Sequence, residues 1–344
     1  MSGTYKMVLV SLLTLFVGCR EITTTTHIHP DGSCQRIVSV KSGNKTPDTQ
    51  AFYIPSDSTW QIKQTRKKKS GDWIYTAQKS FDHIKYMQAE YITQPDSIDH
   101  IRVSMQFEKR FRWFSTTFFY QETYHAYNPF GHIPLQNRLT PQEIELFYAG
   151  ADSGDIDEKF ETWQTDDAFE DFFIAFIDSA AALNDPRLRR DVILQHKEQI
   201  RVIINELGDD VDHSVEKMLD ELQQLFATDS VYHLKGLIRR KVGEIETKSD
   251  FILTAQLAKY TQQVSMPGVI TDTNAPVLKG NVVSWSFDGS RFYERDMKMW
   301  VKARKTNPAM IILTLAIAAL CLIIIAAGGF YRYKRGKTEQ ESAA

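Results

Sequence analysis

A long uncharged apolar segment near the C-terminus constrains this chain more than any other feature. Residues 309–329 run for 21 residues without a charge, and a basic stretch at 331–335 follows. As an α-helix the segment is about 31 Å long, enough to cross the hydrocarbon core of a membrane. Its apolar side chains surround the axis on all sides, which is not typical of a soluble core helix. The sequence therefore predicts a transmembrane helix over residues 308–330 and a cytoplasmic basic tail over residues 331–344.

A second apolar segment, at the N-terminus, has the features of a secretory signal. Lys6 gives a short basic region, and residues 7–17 are apolar but too few to span a bilayer. Residues 15–19, Leu-Phe-Val-Gly-Cys, resemble the lipobox of bacterial lipoproteins, which implies a signal peptide over 1–18 and acylation of Cys19. The alternative is an ordinary signal cleaved near Gly18, with Cys19 left as a thiol. Both interpretations place the main domain outside the cytoplasm, in the bacterial periplasm, and the tail inside.

The cysteine content does not indicate a disulfide framework. If Cys19 is acylated and Cys321 lies in the bilayer, Cys34 has no partner. If Cys19 is not acylated, a Cys19–Cys34 disulfide becomes an alternative, because the turn residues 30–32, Pro-Asp-Gly, could fold the chain back between them.

The segment between the two membrane signals has the composition of an ordinary globular protein. It contains about 285 residues, enough for one large domain or two small ones with a substantial core. The whole chain is 42% hydrophobic and 24% charged, with a formal net charge of -2. This charge balance argues against nucleic acid as a partner.

The order of secondary-structure signals predicts an α+β protein. Residues 19–139 are rich in strand signals, residues 140–260 have helical periodicity, and strand signals return over 261–306. Thr140, Pro141 and Glu143 have the spacing of a helix N-terminus. We therefore expect one antiparallel sheet formed from N- and C-terminal strands with a central helical insertion. Both membrane tethers are expected to leave this sheet on one side.

Aromatic residues follow the clearest alternation in the chain. The alternating parity that includes Phe111 and Trp113 switches after Trp113, which predicts two long antiparallel strands with a turn or bulge within residues 108–115. These strands could line a groove for an acyl chain. That interpretation makes the following residues the candidate ligand-binding set: Phe111, Trp113, Phe118, Tyr120 and Tyr124. The alternative is that one parity forms core while the other packs under the helices.

Several short motifs resemble those of a bacterial envelope lipoprotein family, the LppM type. They are the lipobox ending in Cys19, the turn at Asp31-Gly32, residues 265–269 (Ser-Met-Pro-Gly-Val), and the tryptophan-bearing strand at 281–287, which is followed by a last strand and the membrane helix. The match covers roughly the first 30 and last 80 residues. The resemblance implies an envelope role and a curved sheet that shelters a lipid-like ligand.

The sequence indicates neither a catalytic nor a metal-binding constellation. His27 and His29 share a strand face without a defined ligand spacing, and the acidic residues around Gly154 do not follow the EF-hand pattern. The motifs G-x-S-x-G, H-E-x-x-H and C-x-x-C do not occur. We therefore predict a protein that is not an enzyme and has no cofactor and no metal.

Three functional hypotheses follow for this membrane-tethered protein. The first is binding of a lipid or another apolar envelope ligand through the sheet. The second is a non-enzymatic interaction or scaffold module that presents the helical insertion to another envelope protein. The third and weakest is a hydrolase assembled from scattered residues. The predicted partners are thus the membrane and either a lipid or an envelope protein.

Overall fold

The computed structural model describes residues 20–45, 51–67, 71–92, 101–149, 154–205 and 211–342. The predicted signal peptide (1–18) and the predicted lipidation site, Cys19, lie outside these ranges. The described strands are β1 (Glu21–Ile28), β2 (Cys34–Ser42), β3 (Gln61–Arg66), β4 (Trp73–Phe81), β5 (Val103–Arg112), β6 (Ser115–Tyr124), β7 (Lys259–Ser265), β8 (Val269–Thr273), β9 (Val277–Lys279), β10 (Val282–Asp288) and β11 (Met297–Thr306). The described helices are α1 (Ile84–Ile92), α2 (Pro141–Ala149), α3 (Gly154–Ala181), α4 (Arg190–Gln195), α5 (Lys197–Asn205), α6 (Val211–Phe226), α7 (Lys235–Leu257) and α8 (Pro308–Ser342).

The strands form two sheets, and each sheet contains strands from both sides of the helical insertion. The larger sheet has the order β3-β4-β2-β1-β7-β10-β9, and the smaller has the order β5-β6-β11-β8. All pairings are antiparallel except that of β1 with β7. The α+β fold class with a central helical insertion is thereby confirmed. The difference from expectation is that the strands divide into two sheets.

The main core lies between the facing sides of these sheets. Side chains alternate along the strands, so that Val38 and Val40 of β2 and Phe118 and Tyr120 of β6 are all buried. This alternation is the period-two pattern of a strand with one covered face. The two sheets therefore bury their apolar faces against each other.

A buried ion pair joins the two sheets through this core. Arg36 of β2 donates two hydrogen bonds to the Glu122 carboxylate of β6, at 2.9 and 2.7 Å, and both side chains are fully buried. Tyr120 and Gln262 also donate to Glu122, at 2.8 and 2.6 Å. Burial alone lowers the pKa of Arg36, but the charge of Glu122, its hydrogen bonds and the nearby Tyr91 and Tyr120 together hold that pKa above its ordinary value. Arg36 therefore keeps its charge inside the core, and the Glu122 carboxylate accepts hydrogen bonds from three side chains.

Corresponding ends of the two sheets are stacked on each other. At one end, the ring of Tyr124, which closes β6, packs against Tyr260 of β7 and Phe287 of β10, with centroids 6.3 and 5.5 Å apart. β1 begins at this end, because Ile22 is paired with Tyr260. We call this the start end.

At the opposite end, the chain leaves the sheets and enters the last helix. The β7–β8 turn contacts β11 there, with Gly268 against the Arg304 carbonyl group. β11 ends at Thr306, which is paired with Ser115 of β6, and α8 begins two residues later at Pro308. We call this the exit end. The eight residues of β1 separate the two ends by about 26 Å, so the described chain begins at the end of the sheets opposite α8.

The helices of the insertion build a second core beside the sheets. The first half of α3 packs into the sheet core through Ile156, Phe160 and Trp163. Its second half contributes Phe172 and Phe176 to a separate cluster with α4, α5, α6 and α7. α3 thus belongs to both cores and connects the insertion to the sheets.

The last helix differs from the others in its surroundings. Its Pro308–Phe330 portion is 23 residues long, is apolar enough to cross a membrane, and has none of its apolar window buried inside the protein. Within the described ranges it is the single helix with these properties. The predicted C-terminal apolar helix is therefore confirmed as one that could span a bilayer.

The buried ion pair yields a stability prediction. Replacing Glu122 with Gln removes the countercharge of a buried guanidinium, and we expect a loss of about 3–5 kcal/mol in the free energy of unfolding. Urea unfolding of the full chain in detergent measures this. The matched control is Glu21→Gln, which breaks the exposed Lys41–Glu21 pair and should cost less than about 1 kcal/mol. Equal losses in the two variants would contradict the importance of the buried pair.

Candidate functional site

An open cleft of about 790 Å³ lies at the exit end of the larger sheet. It is bounded by the β1–β2 turn, the end of β4 and the β7–β8 turn, and Lys305 of β11 also lines it. Its polar lining consists of His27, His29, Ser33, Gln35, Ser80, Asp82, Ser265, Asn281 and Lys305. Its apolar lining includes Ile28, Pro30, Phe81, Met266 and Pro267. The cleft therefore combines hydrogen-bonding groups and apolar surface within one concave site.

The β1–β2 turn is held by its own polar residues. The Asp31 carboxylate accepts hydrogen bonds from the Ser33 hydroxyl and backbone N–H, at 2.7 and 3.0 Å. These bonds lower the pKa of Asp31, so the carboxylate is ionised at neutral pH. Gly32 follows with φ +98°, a left-handed conformation that favours glycine. This local chemistry fixes the turn that carries His29 and Ser33 into the cleft.

The β7–β8 turn requires glycine both for its backbone conformation and for a close approach to β11. Gly268 has φ +92°, and a Cβ at this position would lie 2.5 Å from the carbonyl oxygen of Arg304. The turn can therefore approach β11 only because no side chain intervenes. Asn281 braces the same region by donating to the Met266 carbonyl group at 3.1 Å. Together these contacts hold the Pro267-Gly268 wall beside the strand that leads to α8.

The chemistry of the cleft suits a polar head with an apolar portion. Lys305 supplies an ammonium group, His27 and His29 supply imidazoles, and Ser80 and Ser265 supply hydroxyls. Such donors bind phosphate or hydroxyl oxygens. The apolar residues in the lining offer surface to the part of an amphiphile next to its polar head.

The five aromatic residues predicted to bind a ligand do not lie in one place. Phe118, Tyr120 and Tyr124 are buried in the core between the sheets. Phe111 and Trp113 are exposed at the tip of the β5–β6 hairpin. The structure brings neither group into the cleft, and binding by these residues stays a prediction.

The separation of the two groups has a simple cause. β5 is an edge strand of the smaller sheet, and its last four residues, from Lys109 to Arg112, are all exposed. The alternation of apolar residues therefore no longer indicates burial beyond Phe107, since both faces of β5 are exposed from Lys109 to Arg112. The cleft residues were missed because they come from separate turns. The signal that could have located them was the pair of turns at 30–32 and 267–268, whose proximity depends on the parallel pairing of β1 with β7.

Cys34 is a free, buried thiol at the beginning of β2. Its sulfur lies 3.9 Å from the Met87 sulfur of α1. Burial raises the pKa of Cys34 to about 12, so the thiol is protonated and weakly nucleophilic at neutral pH.

Comparisons with known proteins give one weak likeness in fold. No family model matches this chain, and no curated protein matches it. Among solved structures, the chain is similar to the folded domain of LppM from Mycobacterium tuberculosis, determined by NMR. The two share 9% identity with a TM-score of 0.31, and the match covers 86% of this chain and 95% of the LppM domain. The predicted LppM-type resemblance is therefore confirmed only as a weak similarity in fold.

The glycine at the cleft wall gives a second prediction. Gly268→Ala adds a steric clash with β11 to the cost of a left-handed alanine, and we expect it to lose about 1–3 kcal/mol more stability than its control. The control is Gly280→Ala, because Gly280 also has a positive φ, +63°, but open space around it. Thermal unfolding of both variants in detergent measures the difference. Equal destabilisation would show that the close approach to β11 is absent.

The buried thiol gives a third prediction. At pH 8, iodoacetamide should modify Cys34 in the folded protein at least about tenfold more slowly than in urea, because the thiolate is suppressed and the site is covered. Peptide mapping by mass spectrometry measures the modification at each cysteine separately. Fast labelling of native protein would contradict the buried position. A disulfide-linked Cys19–Cys34 peptide would contradict the fold itself, because Cys34 is paired with Ile28 at the exit end and Glu21 lies at the start end.

Proposed function

We propose that this protein is a single-span, non-enzymatic protein of the bacterial envelope that binds an amphiphilic lipid at the membrane surface. The observation that carries the proposal is the position of the cleft. Lys305 lines it, and the apolar helix α8 begins three residues later at Pro308. With α8 in the bilayer, the cleft lies close to the lipid headgroups.

The dimensions and lining of the cleft support a lipid ligand. Its volume of about 790 Å³ falls within the range of about 300–1,000 Å³ that small-molecule sites occupy. Lys305 offers a positive charge to an anionic head, while Phe81 and Met266 offer apolar contact. The head of a lipid would enter the cleft, and its chains would remain in the adjacent bilayer.

The interior of the two sheets is less suited to an acyl chain. Tyr124 packs its ring against Phe52, Tyr260, Phe287 and Phe292, with centroids 5.4–6.3 Å apart. These rings and the Arg36–Glu122 pair fill the space where a groove between the sheets would run. The binding site in this proposal is therefore the end of the sheet rather than its buried face.

The proposed topology puts the main domain in the periplasm and residues 331–344 in the cytoplasm. The N-terminal segment, with its secretory features, supports this direction. Acylation of Cys19 and a domain held with its exit end on the membrane are alternatives, because β1 starts at the end of the sheets opposite α8. An acyl chain attached before Arg20 would draw the start end toward the bilayer. The proposal is the orientation with the exit end on the membrane, and intact-mass measurement of the mature chain shows whether Cys19 carries an acyl group.

Native mass spectrometry of the full chain, purified in mild detergent, tests the lipid site by counting retained lipids. Ser80→Trp fills the cleft from an exposed position, and Lys305→Glu reverses its charge. We expect about fivefold less bound anionic lipid in each, equivalent to about 1 kcal/mol per headgroup contact. The matched controls are Gln61→Trp on the exposed edge strand β3 and Lys298→Glu at the far end of β11, and both should retain lipid. Equal retention in all four variants would refute the cleft as a lipid site.

A further inference from the structure

The β5–β6 hairpin tip is joined to the first turns of α8. Asn307, the residue before α8, donates from its backbone N–H to the Phe114 carbonyl at 3.0 Å and from its side chain to the Arg112 carbonyl at 2.8 Å. Its side-chain oxygen accepts from the Thr116 hydroxyl at 3.0 Å. The Asn307 carbonyl also accepts from the backbone N–H groups of Met310 and Ile311. One residue therefore ties the hairpin to the beginning of the helix.

A further contact reaches into the apolar part of the helix. Trp113 donates its indole N–H to the Thr314 hydroxyl at 2.7 Å, and that hydroxyl donates in turn to the Met310 carbonyl, also at 2.7 Å. Thr314 is the only residue between 308 and 330 with a hydroxyl, amide or charged side chain. It lies six residues into the helix, about 9 Å along the axis from Pro308. If α8 crosses a bilayer, the indole of Trp113 therefore lies beside the helix at the depth of the membrane interface.

The hairpin tip is also unusually apolar for an exposed surface. Outside α8, Val269 and Phe111 are the most exposed large apolar side chains of the described chain, at 73% and 62%. Trp113 and Phe114 are 47% and 55% exposed. Val269 belongs to the same end of the smaller sheet, because it is paired with Arg304 of β11. These four residues form what we call the tip surface.

Positive charge surrounds the tip surface. The exposed cations at the tip end of the two adjoining strands, β5 and β11, are Lys109, Arg110, Arg112, Arg304 and Lys305. Glu108 is the acidic residue of the hairpin nearest the tip, and it pairs with Arg110 at 2.7 Å; the other, Glu122, is buried in the core. Exposed aromatic side chains flanked by cations are the combination that favours the interface of an anionic membrane, where tryptophan is enriched and each lysine or arginine gains about 1 kcal/mol.

From these contacts we infer that the tip surface is a second membrane-contact site, which inserts into the interface of an anionic bilayer beside α8 and fixes the orientation of the domain. This inference rests on the proposal that α8 spans a membrane. Its tests are independent of lipid binding in the cleft, because Trp113 and Arg112, the residues of the tip that they change, do not line that cleft. The hairpin and the helix then act as two adjacent anchors, so the domain cannot swing freely about residues 306–308.

Tryptophan quenching by brominated lipid tests the insertion. The full chain is reconstituted into bilayer discs of phosphatidylcholine and phosphatidylglycerol, in which the acyl chains of either lipid can be brominated. We expect brominated chains to quench a part of the wild-type emission that is missing in Trp113→Phe and unchanged in the control Trp300→Phe. Trp300 lies on β11 six residues before Thr306, about 20 Å from the exit end. Identical quenching of wild type and Trp113→Phe would overturn the inference.

A reference variant separates failure of the tip surface from failure of the span. Leu320→Trp, in the Trp113→Phe background, places an indole in the middle of α8. Quenching at 320 but not at 113 would refute the tip surface and leave the span standing. The lack of quenching at both positions would refute the span and, with it, the inference.

The charge part of the inference has its own readout. At equal mole fractions, brominated phosphatidylglycerol should quench Trp113 about twofold more than brominated phosphatidylcholine, because the cations enrich anionic lipid near the tip. Arg112→Glu should remove this preference, whereas Lys298→Glu, at the other end of β11, should leave it unchanged. Equal quenching by the two lipids in the wild type would contradict an anionic partner.

Discussion

The buried pair of Arg36 and Glu122 is the interaction on which the rest of the structure depends. It joins the larger sheet to the smaller one inside an apolar core, and each charge is tolerated only because the other is present. A pair of this kind fixes the register of one sheet on the other, because sliding one sheet by a residue would move the two charges apart by about 3.3 Å and break their hydrogen bonds. The stacking of corresponding sheet ends follows from that register. The cleft and the tip surface both lie at one of these ends, so their proximity to α8 depends on the same contact.

β11 connects the sheets directly to the apolar helix α8. β11 is hydrogen-bonded to β6 along its whole length and passes into α8 after one intervening residue, Asn307. Asn307 makes three hydrogen bonds to the hairpin, so the junction is short and held in place. Because the junction is short and hydrogen-bonded, the orientation of α8 in a membrane determines the orientation of the whole domain. Under the proposed function, the lipid cleft is therefore presented to the headgroups by the architecture and does not depend on a flexible tether.

Features set by local sequence could be predicted, because short-range rules decide them. The turn at Pro30-Asp31-Gly32 joins β1 and β2 as expected, and Thr140 and Glu143 exchange the hydrogen bonds expected at the start of α2. The uniform apolarity of residues 309–329 was equally decisive for α8. The division into two sheets was not predictable, because β1 pairs with a strand more than 230 residues away. Alternation of apolar and polar residues indicates that one face of a strand is covered, but it does not indicate which sheet covers that face. The cleft could not be predicted for the same reason, because its residues come from strands that pair over a long sequence distance. The exposure of Phe111 could not be predicted either, because it depends on how far the hairpin extends beyond the neighbouring strands.

The most direct test of the central claim, that the exit end faces the membrane, is a pair of energy-transfer distances. A dye is attached through Lys305→Cys at the exit end or through Lys41→Cys, whose strand position is paired with Glu21 at the start end, and acceptor lipids are placed in the disc that holds the full chain. We expect the dye at 305 to lie closer to the acceptor plane than the dye at 41 by about 26 Å, the length of β1. Equal distances for the two dyes, or a shorter distance for position 41, would contradict the claim.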